Sequence, residues 1–581
     1  MSGRTTGPPS EALRRPLTSY QGLEAIAGPL TTPETAAATV RFRRVVAGPQ
    51  RVHLCLLVSG NAVAAVGFLS WLLPVVMAGG SWPQRVCALF VIVVEVVRAL
   101  QATAMWVFCL AARDPVPVTP PPGLRIAVLT TIVPSSEPLG TVVPTLRAMR
   151  RLTYDGHVDV WILDEGDDPA VRATAARLGV RHFSRAGSAE FNQPSGPYRR
   201  RTKAGNHNAW RAEHESNYDI VAQVDPDHVP VRDFLQRSLG YFRDPDVGYV
   251  VAPQVYGNSS DGFVPHAAAA QSYLFNGIVQ RGGNGLGAPL LIGTNHLYRV
   301  GAWRQIGGYQ DSLTEDHLTG MTVVATTNPD TGRRWKGVYT PDVLAIGEGP
   351  TSWTDYFNQQ RRWAYGVWDV VLRHSPRLMP RLAPRQRLAY GLMQMFYPGA
   401  AVSWLCGNTA TWLYLLLPGL HTTNGGGTWP VLWSGTLVAW LALFLWLRRF
   451  NLAEQERREL GLAGLAISAM SGPVYVAAAA AAVAKRTLNY RVTGKGEFFS
   501  RDCLRTFLQH LVWTASALAA LAGGLFLTSA DVASLIWMSI TLTASAAPSL
   551  IALRRHLSGR RSEAPQGLKA KTWPEPCSPS L

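Results

Sequence analysis

Apolar residues along the chain fall into long runs with few or no charges, short runs that end in acids, and stretches with helical spacing. The long runs cover residues 54–77, 86–110, 388–417, 431–447, 511–527 and 532–553. Each is long enough to cross a bilayer, which takes about 20 residues. Between the second and third runs the pattern changes. RIAVLTTIV (125–133), VDVWIL (158–163) and DIVAQV (219–224) read as buried strands, separated by helical patterns such as TLRAMRRL (145–152) and AVRATAARLG (170–179). Strand–helix alternation predicts a mostly parallel sheet in an α/β layer fold. Asp164 and Asp225 follow their strands directly, and open parallel sheets bind ligands at strand carboxyl ends.

This divides the chain into a basic, disordered arm (1–52), two transmembrane helices (53–112) and a stiff Pro-rich linker (113–123). An α/β domain (124–352) and amphipathic interfacial helices (353–387) follow, then two more transmembrane helices (388–447). A further apolar stretch, 461–484, is long enough to span, but Arg448, Arg449, Arg457 and Arg458 precede it and Lys485, Arg486, Arg491 and Lys495 follow. With basic flanks on both sides it is expected to lie in the interface or re-enter, with a break at Gly472-Pro473. A loop (485–505), two final crossings (506–553) and a basic disordered tail (554–581) complete the chain, giving six crossings with both termini inside. The first run starts too late for a cleaved signal peptide, so an uncleaved anchor is expected.

Charged residues make up only 16% of the 581, yet the net charge is +17. The arginines sit in the tails and beside apolar runs, as the positive-inside bias places them, so membrane lipids and not nucleic acid are the expected partners. The six cysteines form no CxxC pair, and neither a disulfide framework nor a zinc site is expected. GGNGLG (282–287) reads as a flexible loop and not as a dinucleotide fingerprint.

Chemistry concentrates in five segments. In DPDH (225–228), Asp225 and Asp227 can share a hard divalent cation with a diphosphate; a polar turn is the plainer alternative. DEGDD (164–168) repeats the strand-then-acid arrangement: Asp164 and Glu165 can contact a nucleotide, or Gly166–Asp168 can simply turn the chain. Lys203 of KAGNHN offers a phosphate cation. In TEDH (314–317), Asp316 can act as a general base, or Thr314 can cap a helix whose dipole favours acids. QQRRW (359–363) lies on an amphipathic helix, where Gln359, Arg362 and Trp363 combine amide, guanidinium and indole suited to a sugar acceptor. His207, His228 and His317 adjoin these motifs, and at most one of them is expected to assist the cation.

In this order, between apolar spans, the segments resemble the processive family 2 glycosyltransferases of the cellulose synthase type. YRVTGKG (490–496) is similar to that family's gating loop. The resemblance implies a GT-A fold (Rossmann-like) inserted in a transmembrane bundle, and inverting transfer from a UDP-sugar with Mg²⁺ or Mn²⁺. It implies that Asp164, Glu165, Lys203 and Asp225 hold the nucleotide, that Asp225 and Asp227 hold the metal, and that Asp316 is the base. Gln359, Arg362, Trp363 and Thr294 would bind the growing polysaccharide. Tyr490, Val492, Thr493 and Lys495 would belong to the gate. The helices would secrete the polymer across a bacterial plasma membrane, with accessory secretion subunits as partners.

Some residues depart from the pattern. Glu165 stands where the family often has Asp, and LIGTNH (291–296) replaces an FFCGS-like finger, leaving the polymer open between a cellulose-like β-glucan and an N-acetylglucosamine or mannose product. No cyclic-di-GMP domain is recognisable after residue 553, so no such regulation is expected. Single-sugar transfer to a lipid, or transport by a chain with an inactive domain, are the rival readings.

Overall fold

The computed structural model describes residues 23, 26–34, 37–77, 80–417, 428–486, 500–526 and 532–559. Strand β1 (Phe42–Arg44) leads into two long helices, α1 (Pro49–Met77) and α2 (Trp82–Ala111), and β2 (Arg113–Pro115) leaves them, antiparallel to β1. Part of the arm expected to be disordered is therefore ordered. The Val40 amide donates to Asp244 Oδ2 (3.0 Å) and Thr31 bonds Asp342. Composition misses this because the order comes from pairing with β2 and from scattered apolar residues such as Leu23, Ala27 and Val46 that enter the core without a periodic pattern.

The predicted runs become β3 (Arg125–Ile132) and β4 (His157–Asp164), followed by β5 (Arg181–Phe183), β6 (Ile220–Gln223), β7 (Val229–Pro230), β8 (Val247–Val251) and β9 (Val255–Tyr256). Then come β10 (His296–Arg299), β11 (Lys336–Tyr339) and β12 (Ala345–Gly347). A seven-stranded sheet runs β11-β8-β10-β6-β3-β4-β5; β10 is antiparallel to both neighbours and the other pairings are parallel. Alternation of Val, Ile and Ala buries both faces of β3 and β6, as helix-covered parallel strands require. Helices α3 (Leu139–Met149) and α4 (Pro169–Leu178) flank the sheet; Asp168 caps α4 by accepting from the Ala170 amide (2.7 Å).

After the sheet come α5 (Lys203–His214), α6 (Phe263–Leu274), α7 (Gln280–Leu286), α8 (Glu315–Val324) and α9 (Trp353–Asp369), then α10 (Pro384–Gln394) and α11 (Phe396–Leu416). The bundle closes with α12 (Thr428–Leu447), α13 (Leu462–Met470), α14 (Gly472–Val483), α15 (Leu504–Phe526) and α16 (Val532–Gly559). Among the described residues, five helices are long and apolar enough to cross a membrane: α1, α2, α12 with its short extension to Phe450, α15 and α16. The expected 388–417 span is instead divided between α10 and α11, and in α11 the Asn408 amide and Thr411 hydroxyl bond back to carbonyls one turn earlier. α13 and α14 are bent by 47° at Ser471, where Pro473 supplies no amide hydrogen.

GGNGLG is not a loop. It forms most of α7, ending at Gly287 in the left-handed region (φ 75°). Glycine disfavours helix by about 1 kcal/mol per residue relative to Ala, but here each glycine marks a close approach. A Cβ on Gly285 would lie 1.8 Å from the Ala111 carbonyl oxygen, and one on Gly282 would lie 2.7 Å from Phe108. The α/β domain thus docks backbone to backbone on the end of α2. Gly285→Ala is expected to lower the thermal unfolding midpoint in detergent, because overpacking costs about 1–3 kcal/mol and outweighs the propensity gain. Gly301→Ala, with nothing within 4 Å, is the matched control expected to be neutral.

Candidate active site

Asp225 lies just past β6, and Asp227 and His228 follow on the turn into β7. Ligand atoms of the three lie within 4.8 Å of one another. Asp227 Oδ2 accepts from the Glu348 amide (3.2 Å), and His228 Nδ1 is 3.4 Å from Asp227 Oδ1. The His228 ring is fully buried, neither nitrogen has a hydrogen-bond partner, and a Cβ on Gly347 would lie 2.3 Å from it. A buried imidazole with unsatisfied nitrogens beside two carboxylates fits a hard divalent cation that accepts one nitrogen ligand. Of the histidines beside the motifs, this one joins the acids. His317 Nε2 lies 3.0 Å from the Gln394 amide nitrogen, and burial pushes the ring down to about 4. Burial and the nearby Lys203 lower His207 and take His296 down to about 3, so all three rings are neutral.

Lys203, the first residue of α5, donates its ammonium to Asp225 Oδ1 and to the Gly293 carbonyl. It is delivered by the loop 185–202, which Arg185 holds together. That guanidinium is 1% exposed and forks onto Glu165 (Nη2–Oε1 2.7 Å, Nε–Oε2 3.0 Å). It also donates to the carbonyls of Phe191 (2.9 Å), Arg199 (3.1 Å) and Thr202 (3.2 Å). Glu165 Oε1 accepts from the Arg201 amide as well (3.2 Å), which identifies the acid as the loop's anchor.

Asp164 behaves differently from expectation. Its carboxylate is buried and accepts from the Gly166 (2.9 Å) and Asp168 (2.6 Å) amides, with His182 at 3.2 Å. Its geometry is that of the turn reading: it shapes the 164–168 loop and leaves Glu165 and Gly166 on the cavity wall.

The Thr314-Glu315-Asp316 segment opens α8. Asp316 Oδ1 accepts from the His317 amide (2.7 Å), and a Cβ on Gly293 would lie 3.3 Å from Asp316 Oδ2. LIGTNH therefore runs between the two acid centres. The Gly293 carbonyl takes Lys203, while Thr294 Oγ1 accepts from the Asp225 amide (3.0 Å) and donates to Asn295 Oδ1 (3.1 Å). Burial raises both acids of α8, and repulsion from Asp316 adds to it at Glu315, which reaches about 7 against the opposing effect of Lys203 and Arg362; the same two cations oppose the shift of Asp316. α9 packs against this segment, since a Cβ on Gly366 would meet the Thr314 side chain at 2.4 Å. Ser352 caps α9 by accepting from the Asp355 amide (3.1 Å).

A cavity of about 1720 Å³ joins these pieces. Lys203, Asp225, Thr294, Glu315 and Asp316 line it on the sheet side, with Gln359, Arg362 and Trp363 from α9, and it continues between α1, α2 and α12. Tyr490, Val492, Thr493 and Lys495 lie outside the described residues. Motif reading missed Arg185 and left His228 unassigned. It also missed Glu137, a buried cavity-lining acid that accepts from the Val133 amide (2.8 Å). SSEP (135–138) after β3 was its one available signal, a third acid beyond a strand end.

Removing one partner of a buried ion pair strands the other, at a cost of about 3–5 kcal/mol. Arg185→Ala is therefore expected to destabilise the protein in detergent unfolding and to expose Arg199–Arg201 to limited proteolysis. Arg185→Lys is expected not to restore protection, because an ammonium cannot reproduce the fork.

Comparison with known proteins bears on the family and the fold. Residues 220–483 match the family model "Glycosyl transferase family group 2". A cellulose synthase catalytic subunit (UDP-forming) of Xanthomonas axonopodis pv. citri (strain 306) is 28% identical over 298 residues, 49% of this chain and 38% of the relative. Cellulose synthase 1 of Komagataeibacter xylinus is 26% identical over 340 residues, 57% of this chain and 21% of the relative. The matched part is thus well under half of these relatives' length. Among solved structures, the mannosyltransferase PcManGT from Pyrobaculum calidifontis in complex with GDP-Man and Mn2+ covers 69% of this chain and 99% of its own, at 14% identity and a TM-score of 0.45. With a mixed sheet whose acid-tipped strands face one cavity, the fold is GT-A, and over residues 220–483 the chain is similar to the family 2 glycosyltransferases and is cellulose-synthase-like.

Proposed function

We propose that this chain is a membrane-embedded, processive, inverting β-glycosyltransferase that extends a glycan from a UDP-sugar, most simply UDP-glucose, and passes the product through its own helices. The observation that carries this reading is the single cavity that runs from Lys203, Asp225 and Asp316 past Trp363 into the space between α1, α2 and α12. The curated relatives are named as UDP-forming cellulose synthases, which supports the donor class.

In this reading Asp225, Asp227 and His228 hold Mg²⁺ or Mn²⁺, which when bound neutralises charge on the diphosphate. Lys203 turns its ammonium to the same diphosphate, while Glu165, through Arg185, keeps the loop that carries Lys203 in place. Asp164 shapes the nucleotide loop. Gln359 and Arg362 bond the acceptor sugar, Trp363 stacks on its C–H face, and Thr294 fixes the floor beneath it. Asp316 takes the proton of the acceptor hydroxyl, whose oxygen forms the new bond to the anomeric carbon as the bond to UDP breaks on the opposite face, inverting the centre. The apolar helices support a bacterial inner-membrane location; in this reading accessory secretion subunits are partners, and Tyr490, Val492, Thr493 and Lys495 belong to the gate.

Asp316→Asn is expected to reduce sugar incorporation by membrane vesicles about 10²–10⁴-fold, the span of lost general-base catalysis, with UDP binding retained. Equal incorporation by the variant refutes the assignment. A panel of labelled UDP-sugars with Mg²⁺ or Mn²⁺ identifies the donor. Polymer supports the reading, whereas a single labelled lipid overturns processivity.

Activity also carries a pH signature. Burial raises the acids of α8, and Glu315 reaches about 7. The base, Asp316, works only when ionised and burial raises it, so the rate is expected to fall with decreasing pH sooner than it would with an ordinary aspartate. Stability runs the other way. A buried acid with a raised value stabilises fully below its unfolded value and loses that contribution as pH climbs through the folded one. A rate profile flat from pH 5 to 8 contradicts the assignment.

A further inference from the structure

Residues 370–395, which carry the chain from α9 to the start of α11, contain five arginines and no acid. Within them SPRL, MPRL and APRQ follow one another as a four-residue repeat. Pro376, Pro380 and Pro384 each fall in the first turn of a helical element (Ser375–Leu378, Met379–Arg381 and α10), where a missing amide hydrogen costs little. Each proline restarts the turn in the same register. Arg377, Arg381 and Arg385 are consequently all exposed, while Ser375, Leu382, Gln386 and Ala389 are buried along the opposite edge. The other two arginines are occupied. Arg373 pairs with Asp369, and Arg387 donates to the carbonyls of Met379 (3.1 Å), Pro380 (3.3 Å) and Leu382 (3.4 Å). Among the described residues, no ion pair joins Arg377, Arg381 or Arg385 to a carboxylate. Arg334, also exposed, donates to the Arg381 carbonyl and sets a fourth guanidinium beside the row.

The row stands on a fixed footing. Ser375 Oγ donates to Gln394 Oε1 (2.9 Å), and the Gln394 amide nitrogen lies 3.0 Å from His317 Nε2. Gln386 Nε2 donates to the Gly287 carbonyl at the end of α7 (3.1 Å). Since α7 docks on the end of α2, the row lies level with that end. Beyond it Leu388 and Phe396 are exposed, and the chain turns in along α2, where a Cβ on Gly399 would lie 2.9 Å from Gln101.

We propose that Arg377, Arg381 and Arg385, with Arg334, form a docking surface for the phosphate groups of anionic phospholipids at the edge of the apolar bundle. This rests on the membrane location proposed above and not on the choice of sugar. Charge complementarity selects the occupant, because a guanidinium forks onto phosphate oxygens. A step of four residues spaces the forks about 6–8 Å apart by helical rise. The row of three then spans about 12–16 Å, too long for one phosphate and suited to several headgroups side by side. Leu388 and Phe396, exposed just past the last arginine, fit the acyl region beneath those headgroups. A nucleic acid or an acidic protein would meet bare apolar surface there.

The test uses the full chain reconstituted in phosphatidylcholine vesicles. A small fraction of the lipid is dansyl-labelled phosphatidylglycerol or, for comparison, dansyl-labelled phosphatidylcholine, and energy transfer from tryptophan reports the lipid held at the protein. The wild type is expected to hold phosphatidylglycerol in preference, and to lose most of that preference at about 1 M salt, where charges are screened within about 3 Å. Arg381→Gln is expected to weaken the preference about fivefold, the effect of one arginine near an anionic surface. Arg377→Gln/Arg381→Gln/Arg385→Gln is expected to weaken it about 100-fold on the same scale. Arg177→Gln, an equal loss of charge at the far end of α4, is the control expected to change nothing. Equal transfer from the two lipids in the wild type, an unchanged preference in the triple variant, or an equal loss in Arg177→Gln overturns the proposal. Row-dependent binding of an RNA oligonucleotide without any lipid preference assigns the surface to another partner and overturns it as well. Should the triple variant fail to fold, Arg381→Gln and Arg385→Gln singly decide the matter by the same fivefold effect. A chain that never enters vesicles refutes the membrane location and the surface with it, whereas entry without a phosphatidylglycerol preference refutes the surface alone.

Discussion

Partnering of buried charge is the constraint on which the rest of this structure depends. A cavity that serves ionic chemistry at one end and apolar helices at the other cannot leave a carboxylate or guanidinium uncompensated, because removing either from water costs several kcal/mol. Each buried charge is met locally. Lys203 answers Asp225, Arg185 answers Glu165, and Arg98 answers Glu95. The exception is informative: Glu315 and Asp316 are adjacent, buried and answered only from a distance by Lys203 and Arg362, so their acidity weakens.

The pairs also do mechanical work. Arg185 converts a loop of about eighteen residues into a rigid mount, since its five donors satisfy carbonyls that would otherwise point into the protein. Glycine plays the complementary part. Gly293 lets the LIGTNH strand entry pass between Lys203 and Asp316, and Gly366 lets α9 close on Thr314, so the acceptor helix and the proposed base share one wall. Charge pairs fix the distance between elements, and missing side chains allow the approach.

Much of this was legible in the chain. The strands ending at Asp164 and near Asp225 lie where the apolar runs place them, and the break at Gly472-Pro473 coincides with a real bend. Periodicity works there because burial follows directly from it. It fails for GGNGLG, where local propensity favours a loop but the end of α2 demands a helix with no side chains. It fails again for Arg185, whose partners are backbone carbonyls, which carry no residue identity. Asp164 was readable as an acid at a strand end followed by a turn; that its carboxylate itself accepts the amides of that turn was not. His228 stood in plain sight beside the acids; its ligand atoms gather with those of Asp225 and Asp227, whereas His207, with nitrogens just as buried and unpartnered, joins no such group.

The glycine contact between α7 and the end of α2 bears on modularity. A helix so poor in side chains has little reason to form unless the other backbone is there to receive it. The α/β domain is therefore not a detachable enzyme mounted on an anchor. Excised at the Pro-rich linker, it would lose the template for α7, and with it the wall behind β11, which Asn284 joins through Tyr339 (2.8 Å). Catalytic domain and helix bundle form one folding unit, assembled from the inside of the seam outward.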